Sequence, residues 1–314
     1  MSTSILRTRD AWWTLTPSGA ARIATDAGTT GELLADRGAI AAASTTPPEN
    51  TVPVSHLNLL SPVTAPCRVV AQMTNYASHA LDAGMDPQSV PLTFFRKASG
   101  SISGPHEDIV RPEHVTLLDY EVEIGLVIGR AMPVGTEVTE HDLAECIAGL
   151  VITNDVSARD IQLPKTQFYE SKSYPSFTPV GPALVLLDAD ELKRLTDLRL
   201  RLSVNGTLRQ NMLAADMIYG PLQALRALAR FQHLDAGDLV LTGTPVGTAL
   251  SAPPKPIEVI GSLLPTALKW RLFFKGQAKN RKYLRNGDLV AATIATDDGA
   301  IDLGEQRTTV RFTP

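Results

Sequence analysis

Leu118-Asp119-Tyr120-Glu121-Val122-Glu123-Ile124-Gly125-Leu126-Val127-Ile128 alternates acidic with apolar or aromatic residues before turning wholly apolar. At the strand period of two, Asp119, Glu121 and Glu123 share one face, and Tyr120, Val122, Ile124, Leu126 and Ile128 share the other. Spacing alone leaves two readings. Either the acids are the wet face of an antiparallel strand, or they surround a positive charge, because crowded carboxylates raise one another's pKa until something cationic separates them. A hard divalent cation with oxygen ligands meets that need. The second apolar run, Ile147 to Ile152, favours the cation, because it leads into Thr153-Asn154-Asp155-Val156-Ser157-Ala158-Arg159-Asp160-Ile161-Gln162. Polar groups that dense behind a buried-type strand suit a site better than a turn. Glu121, Glu123 and Asp155 are the candidate metal ligands.

At 314 residues the chain exceeds one typical domain, so one large domain with a smaller companion is expected. A hydrophobic fraction of 44% and a charged fraction of 20% are ordinary for a soluble globular protein. The formal net charge of -4 gives no global attraction to nucleic acid or to an anionic membrane. The first residues lack the apolar core of a signal peptide, and no later run is long enough to span a bilayer, so a cytoplasmic location is expected. Cys67 and Cys146 form neither a disulfide framework nor a C-x-x-C zinc site, and both read as buried thiols.

Along the chain, Trp12-Trp13-Thr14-Leu15 and Ala21-Arg22-Ile23-Ala24 alternate like short strands. A short helix is expected from Thr30 to Arg37, closed by Gly38, with the alanine-rich run Ala39 to Ala43 behind it. Ser44 to Asn50 is polar and proline-rich and reads as a linker. The simplest organisation is a small N-terminal domain over 1–65 and a catalytic domain over 66–314. Arg68 to Met73 reads as a buried strand that delivers Asn75-Tyr76-Ala77-Ser78-His79-Ala80-Leu81-Asp82. His79 and Asp82, three apart, share a face of a helical turn. That pairing suits a general base and its orienter, since a carboxylate beside imidazole raises its pKa and fixes its tautomer. Lys165 to Tyr174 lacks periodicity and reads as an active-site loop carrying Lys172. Leu184 to Leu187, Leu198 to Val204 and Leu239 to Leu241 read as strands, and Ile218 to Phe231 as an amphipathic helix with Leu222, Leu225 and Leu228 inward. Many short strands with few helices predict a mainly β fold with some α structure (α+β).

These stretches together resemble the fumarylacetoacetate hydrolase family. The resemblance rests on Asp119-Tyr120-Glu121-Val122-Glu123, on Asn154 to Gln162, on Lys172-Ser173 with Phe177, Pro179 and Gly181-Pro182, on Val204-Asn205-Gly206, and on Gly237-Asp238 through Thr242-Gly243-Thr244-Pro245-Val246-Gly247. It runs in the family's order from about Pro66 to Gly247 and again from Leu284 to Val310. It implies a β-rich catalytic fold, a homodimer, one Mg²⁺ or Mn²⁺, and small 2-oxo or 2,4-diketo acid substrates. It implies roles as well. His79, in Asn-Tyr-x-x-His, takes the place of the catalytic histidine. Lys97, in Phe94-Phe95-Arg96-Lys97-Ala98-Ser99, is placed to meet a substrate carboxylate, and Arg159, Gln162, Lys172 and Thr244 to hold the substrate and its developing negative charge. The chain departs from the family pattern where Asp82 replaces the usual glutamate, Met73-Thr74 replaces a glycine before Asn-Tyr, and Ser171 replaces a glycine before Lys172.

The largest departure is an insertion at about 250–280. Lys269, Arg271, Lys275 and Lys279 make it basic, with Trp270, Phe273 and Phe274 interleaved. Basic residues among aromatics can stack nucleic acid. Within an acidic chain, a solvated hairpin that packs its aromatics on a neighbour, shaping the pocket mouth or a dimer contact, is the simpler account.

The functional expectation is a metal-dependent hydrolase of the kind used in aromatic catabolism, cleaving a carbon–carbon bond of an acylpyruvate- or fumarylacetoacetate-like 2,4-diketo acid. Glu121, Glu123 and Asp155 would hold the cation that stabilises the enolate. His79 with Asp82 would activate water for attack on the distal carbonyl. The alternative keeps the enolate without water attack: an oxaloacetate-type decarboxylase or a hydroxymuconate-type dienoate isomerase.

Overall fold

The computed structural model describes residues 2–250 and 264–313. Its architecture is mainly β with α structure, built on two sheets. The larger, nine-stranded sheet runs in the order Gly19–Arg22, Trp12–Thr16, Thr3–Arg7, Leu184–Leu186, Ile147–Asn154, Val122–Ile128, Leu239–Leu241, Val69–Gln72, Phe94–Lys97. The smaller, five-stranded sheet runs Thr207–Leu213, Leu198–Val204, Leu289–Thr296, Asp302–Phe312, Ile109–Arg111.

Val122–Ile128 and Ile147–Asn154 are buried along their whole length, which explains their near-continuous apolar sequence: a strand covered on both faces has no wet side. Ile124, Leu126, Ile128, Leu150 and Ile152 enter one core with Leu198, Leu200, Leu202 and Ile294 of the smaller sheet. Val127, Val151, Leu239 and Leu241 face the opposite way, onto a second core with Ile5, Leu33, Leu34 and Ile40. The sheet is therefore sandwiched between the second sheet and the helices Thr30–Ala35 and Arg37–Ser44. Thr3–Arg7 pairs antiparallel with Leu184–Leu186, so residues 1–65 continue the large sheet at one edge.

Several local expectations change. The alternation around the acids is not one unbroken strand, because pairing stops between Leu118–Asp119 and Val122–Ile128. There the Tyr120 N–H donates to the Asp119 carboxylate and the Glu121 N–H to the Asn154 side chain, in place of ladder partners. Gly38 does not end a helix. Asp36 breaks the chain instead (φ -93°, ψ 56°), and its carboxylate accepts from the Ala39 N–H at 3.2 Å, capping a second helix that contains Gly38. The stretch Lys165 to Tyr174 is not all loop, since the helix Arg159–Lys165 ends within it and Phe168–Ser171 forms another turn of helix. The expected helix Ile218 to Phe231 is Pro221–Ala229, with Leu225 and Leu228 buried. The hairpin expected at 250–280 is a helix over Thr266–Gln277, while Ile257 and Leu263 of that insertion lie outside the described residues.

Candidate active site

The register of the central strand pair assembles the acids. Asn154 lies opposite Val122 and Thr153 opposite Glu123, so the chain leaves the strand just where Asp155 meets Glu121. The Asp155 N–H donates to the Glu121 carbonyl at 2.8 Å. One carboxylate oxygen from each of Glu121, Glu123 and Asp155 lies within 4.8 Å of the other two, and all three residues are buried. The wet-face reading is thereby replaced, since Asp119 is buried as well.

Three cations answer these four acids. Arg159 donates through Nε to Asp119 at 2.8 Å, through Nη1 to Gln162 at 2.8 Å and through Nη2 to Glu121. Lys172 Nζ bridges Glu121, at 2.6 Å, and Asp155. Lys97 Nζ donates to Asp155 and to the Phe177 carbonyl at 2.8 Å. Formally, one negative charge is left over. It falls on Glu123, whose carboxylate is partnered by the Gly243 N–H at 2.7 Å and by no ammonium or guanidinium among the described residues. Burial, with Asp155 and Glu121 adding to it, pushes the Glu123 carboxyl well above its ordinary range. Burial would raise Glu121 too, but Arg159 and Lys172 outweigh it and hold that carboxyl below the usual range. The donor set fits a hard divalent cation. Oxygens facing each other across an octahedral Mg²⁺ lie about 4 Å apart, and Glu123 lacks a counter-charge that such an ion supplies.

His79 stands on the helix Ala77–Asp82, and its Nδ1 is buried with no hydrogen-bond partner. Burial lowers its pKa from the ordinary value, Glu121 partly offsetting this and Arg159 adding to it. The expected increase from Asp82 does not prevail. Asp82 is exposed on the cavity wall, and no hydrogen bond or ion pair joins it to the imidazole. Asn75 ties this helix to the glycine-rich turn, its Nδ2 donating to the Thr242 carbonyl at 2.8 Å and its Oδ1 accepting from the Tyr219 N–H at 2.9 Å. Gly243 follows with φ +83°, where a Cβ would lie 2.9 Å from the Asn75 Cβ. Glycine there lets the turn approach closely enough to aim its N–H at Glu123.

A cavity of about 1050 Å³ opens on these groups, with Glu121, Glu123, Asp155, His79 and Lys172 in its wall. Arg159, Gln162 and Thr244 line it too, but the Arg159 guanidinium, the Gln162 amide oxygen and the Thr244 hydroxyl are already engaged. The Thr244 hydroxyl donates to the Val122 carbonyl at 2.9 Å and accepts from Gln210. Lys97 is neither a solvated loop lysine nor a residue of the cavity wall. It is buried at the end of the strand Phe94–Lys97, behind Asp155. Gln210, absent from the residues expected at the site, braces it by accepting from the Val122 N–H at 3.0 Å and donating to Thr244 and the Pro245 carbonyl. A lone glutamine on a polar strand carries no signal of such a role.

Comparisons with known proteins agree with this geometry. A family profile described as fumarylacetoacetate (FAA) hydrolase, C-terminal, matches residues 68–311. The chain is 36% identical over 197 residues to a 2,4-didehydro-3-deoxy-L-rhamnonate hydrolase of Sphingomonas, covering 62% of this chain and 67% of the relative. It is 34% identical over 202 residues to a mitochondrial oxaloacetate tautomerase of Xenopus laevis, covering 64% and 61%. The match thus spans about two thirds, or less, of these relatives. A solved structure described as a probable 2-hydroxyhepta-2,4-diene-1,7-dioate isomerase from Mycobacterium abscessus superposes over the full length of both chains, with a TM-score of 0.75 at 28% identity. With its profile match covering most of the sequence and its buried acidic triad at the centre of the sheet, the chain belongs to the fumarylacetoacetate hydrolase family.

Proposed function

We propose that this protein is a divalent-metal-dependent hydrolase that cleaves a carbon–carbon bond of a 2,4-diketo acid, releasing a 2-oxo acid and a carboxylic acid. The supporting observation is that three clustered buried carboxylates and the His79 imidazole line one cavity. Glu121, Glu123 and Asp155 would hold Mg²⁺ or Mn²⁺, and the ion would supply electrophilic stabilisation of enolate charge. The chain's own residues do the rest. Burial keeps the His79 imidazole neutral near pH 7, so a ring nitrogen can take the proton of a water attacking the distal carbonyl. Asp82 is a methylene shorter than glutamate and in this reading reaches the ring through a bridging water. Lys172 sits at the rim of the acid cluster, where its ammonium can neutralise charge building on the substrate oxygen. Arg159, tied to Asp119 and Glu121 and braced by Gln162, holds Glu121 in place.

A second reading, an isomerase, tautomerase or decarboxylase acting through the same enolate, is favoured by one feature. His79 and Asp82 share no direct hydrogen bond, and moving a proton on an enol needs a less tightly oriented base than water attack does. Two of the similar proteins carry isomerase or tautomerase names. Turnover of acylpyruvates, oxaloacetate and a hydroxymuconate-type dienoate in ¹⁸O-labelled water separates the two. Label in the carboxyl group of the carboxylic acid product supports hydrolysis, and turnover with no label in any product carboxyl group replaces it with the second reading. We further propose that 66–314 is the catalytic unit and 1–65 a small N-terminal one, that the protein works as a homodimer on small acids rather than on nucleic acid or membranes, and that its compartment is the reducing cytoplasm, in keeping with two free cysteines.

A further inference from the structure

We infer that the helix Thr266–Gln277 makes this site selective for 2-oxo acids whose distal end is bulky, apolar and aromatic. The inference rests on the reading of the acid cluster as the 2-oxo acid end. Ligand pockets span roughly 300–1,000 Å³, so a cavity of about 1050 Å³ is at the large end, and a four-carbon acid bound at the carboxylates would leave most of it unfilled. The rest of its wall is mostly apolar, with Leu163, Phe168, Trp270, Leu272 and Phe273 lining it. Trp270 stacks on Phe274 with centroids 5.6 Å apart at 18°, and meets Phe273 edge-on at 5.8 Å. Phe274 packs against the main core, which anchors this aromatic cluster from behind. Trp270 and Phe273 are half-buried, and Leu272 is 51% exposed. Among the described residues, part of each of these faces stays open to the cavity. An aromatic substituent would remove them from water and meet the rings in stacked or edge-on geometry.

Charge points the same way. With all four acids ionised around a divalent cation, the three ammonium and guanidinium groups leave one positive charge, which one substrate carboxylate would bring to neutrality. Among the described residues, a second, distal carboxylate would have Lys269 to meet it, the one charged side chain that this helix presents to the cavity. That ammonium lies 5.7 Å from the Trp270 ring and is exposed.

The test is calorimetric binding of phenylpyruvate and pyruvate to the Mg²⁺-loaded protein, in the parent and in Trp270→Ala, Trp270→Phe and Phe273→Ala. Phenylpyruvate should bind about tenfold tighter or more than pyruvate. Trp270→Ala and Phe273→Ala should each erase most of that ratio, and Trp270→Phe should keep it. Equal binding of the two acids overturns the inference, as does a ratio untouched by both alanine variants. So does a preference for a dicarboxylic oxo acid that vanishes in Lys269→Met. If the aryl preference and its loss are seen while no diketo acid is cleaved, the inference stands and the hydrolase reading fails. If acetylpyruvate is cleaved with label uptake but phenylpyruvate gains nothing over pyruvate, the reverse holds.

Discussion

The Lys97 ammonium donates to Asp155 and to a backbone carbonyl with its side chain sealed from solvent. A lysine so placed is a counter-charge, and removing it strands a buried carboxylate. Lys97→Met should therefore cost about 3–5 kcal/mol of stability, read as a fall in the urea midpoint. A stable variant with only a raised KM would return Lys97 to the substrate. Glu123 is the converse case, an acid without a cation. Mg²⁺ at a hundredfold over its Kd should stabilise the parent by about 2.7 kcal/mol, and Glu123→Gln should flatten that thermal response. An undiminished shift in the variant would remove Glu123 from the ligand set. For His79 the sign follows from burial. Its basic form exists above a pKa that is depressed below the ordinary 6.5, so kcat/KM should fall only as pH drops beneath about 6.5. A cation bound nearby would depress it further. His79→Ala should lower the rate about a hundredfold or more with metal affinity retained, and an acid limb centred above pH 7 in the parent would show that Asp82 governs the ring after all.

At the level of elements, the strands Val122–Ile128 and Ile147–Asn154 were legible because both faces are covered and their sequences say so. Glycine is the cost of that closeness. A Cβ on Gly149 would lie 2.3 Å from the Val185 carbonyl oxygen, a backbone atom that cannot swing away. Gly149→Ala should destabilise by about 1–3 kcal/mol, and an unchanged denaturation midpoint would contradict this packing. The acid triad was legible for a related reason: E-x-E on one strand and Asp155 just past its partner need only antiparallel pairing to converge. The helix Thr266–Gln277 stands where a hairpin is expected, although Trp270, Phe273, Phe274 and Gln277 recur at the three-and-four spacing of a helical face. Interleaved basic residues obscured it. What local pattern could not show was long-range bracing, such as Gln210 reaching Thr244, or the burial that turns His79 neutral.

At the scale of the molecule, chemistry and stability divide the chain differently. Every candidate site residue lies within 66–314, yet the second core is shared across the boundary. Ile5, Trp12, Leu33, Leu34 and Ile40 from the first segment pack on Val69, Val127, Val151, Leu184 and Leu239 from the second. Thr3–Arg7 also occupies the hydrogen-bonding edge of Leu184–Leu186. A fragment of 66–314 would therefore expose both an apolar sheet face and an unpaired strand edge, the two features that drive aggregation. Buried apolar area stabilises at about 25 cal/mol per Å², so losing a whole core layer should exceed the margin of roughly 5–15 kcal/mol by which domains are stable. We expect the fragment to be insoluble, or compact but loosely packed, binding a hydrophobic dye and melting without a cooperative transition. Adding a separately expressed 1–65 segment should not restore order unless it is present during refolding, because its strands must enter the sheet. If the fragment instead unfolds cooperatively and within a few degrees of the parent, the second core contributes little, and residues 1–65 are an appendage to a catalytic unit that stands alone.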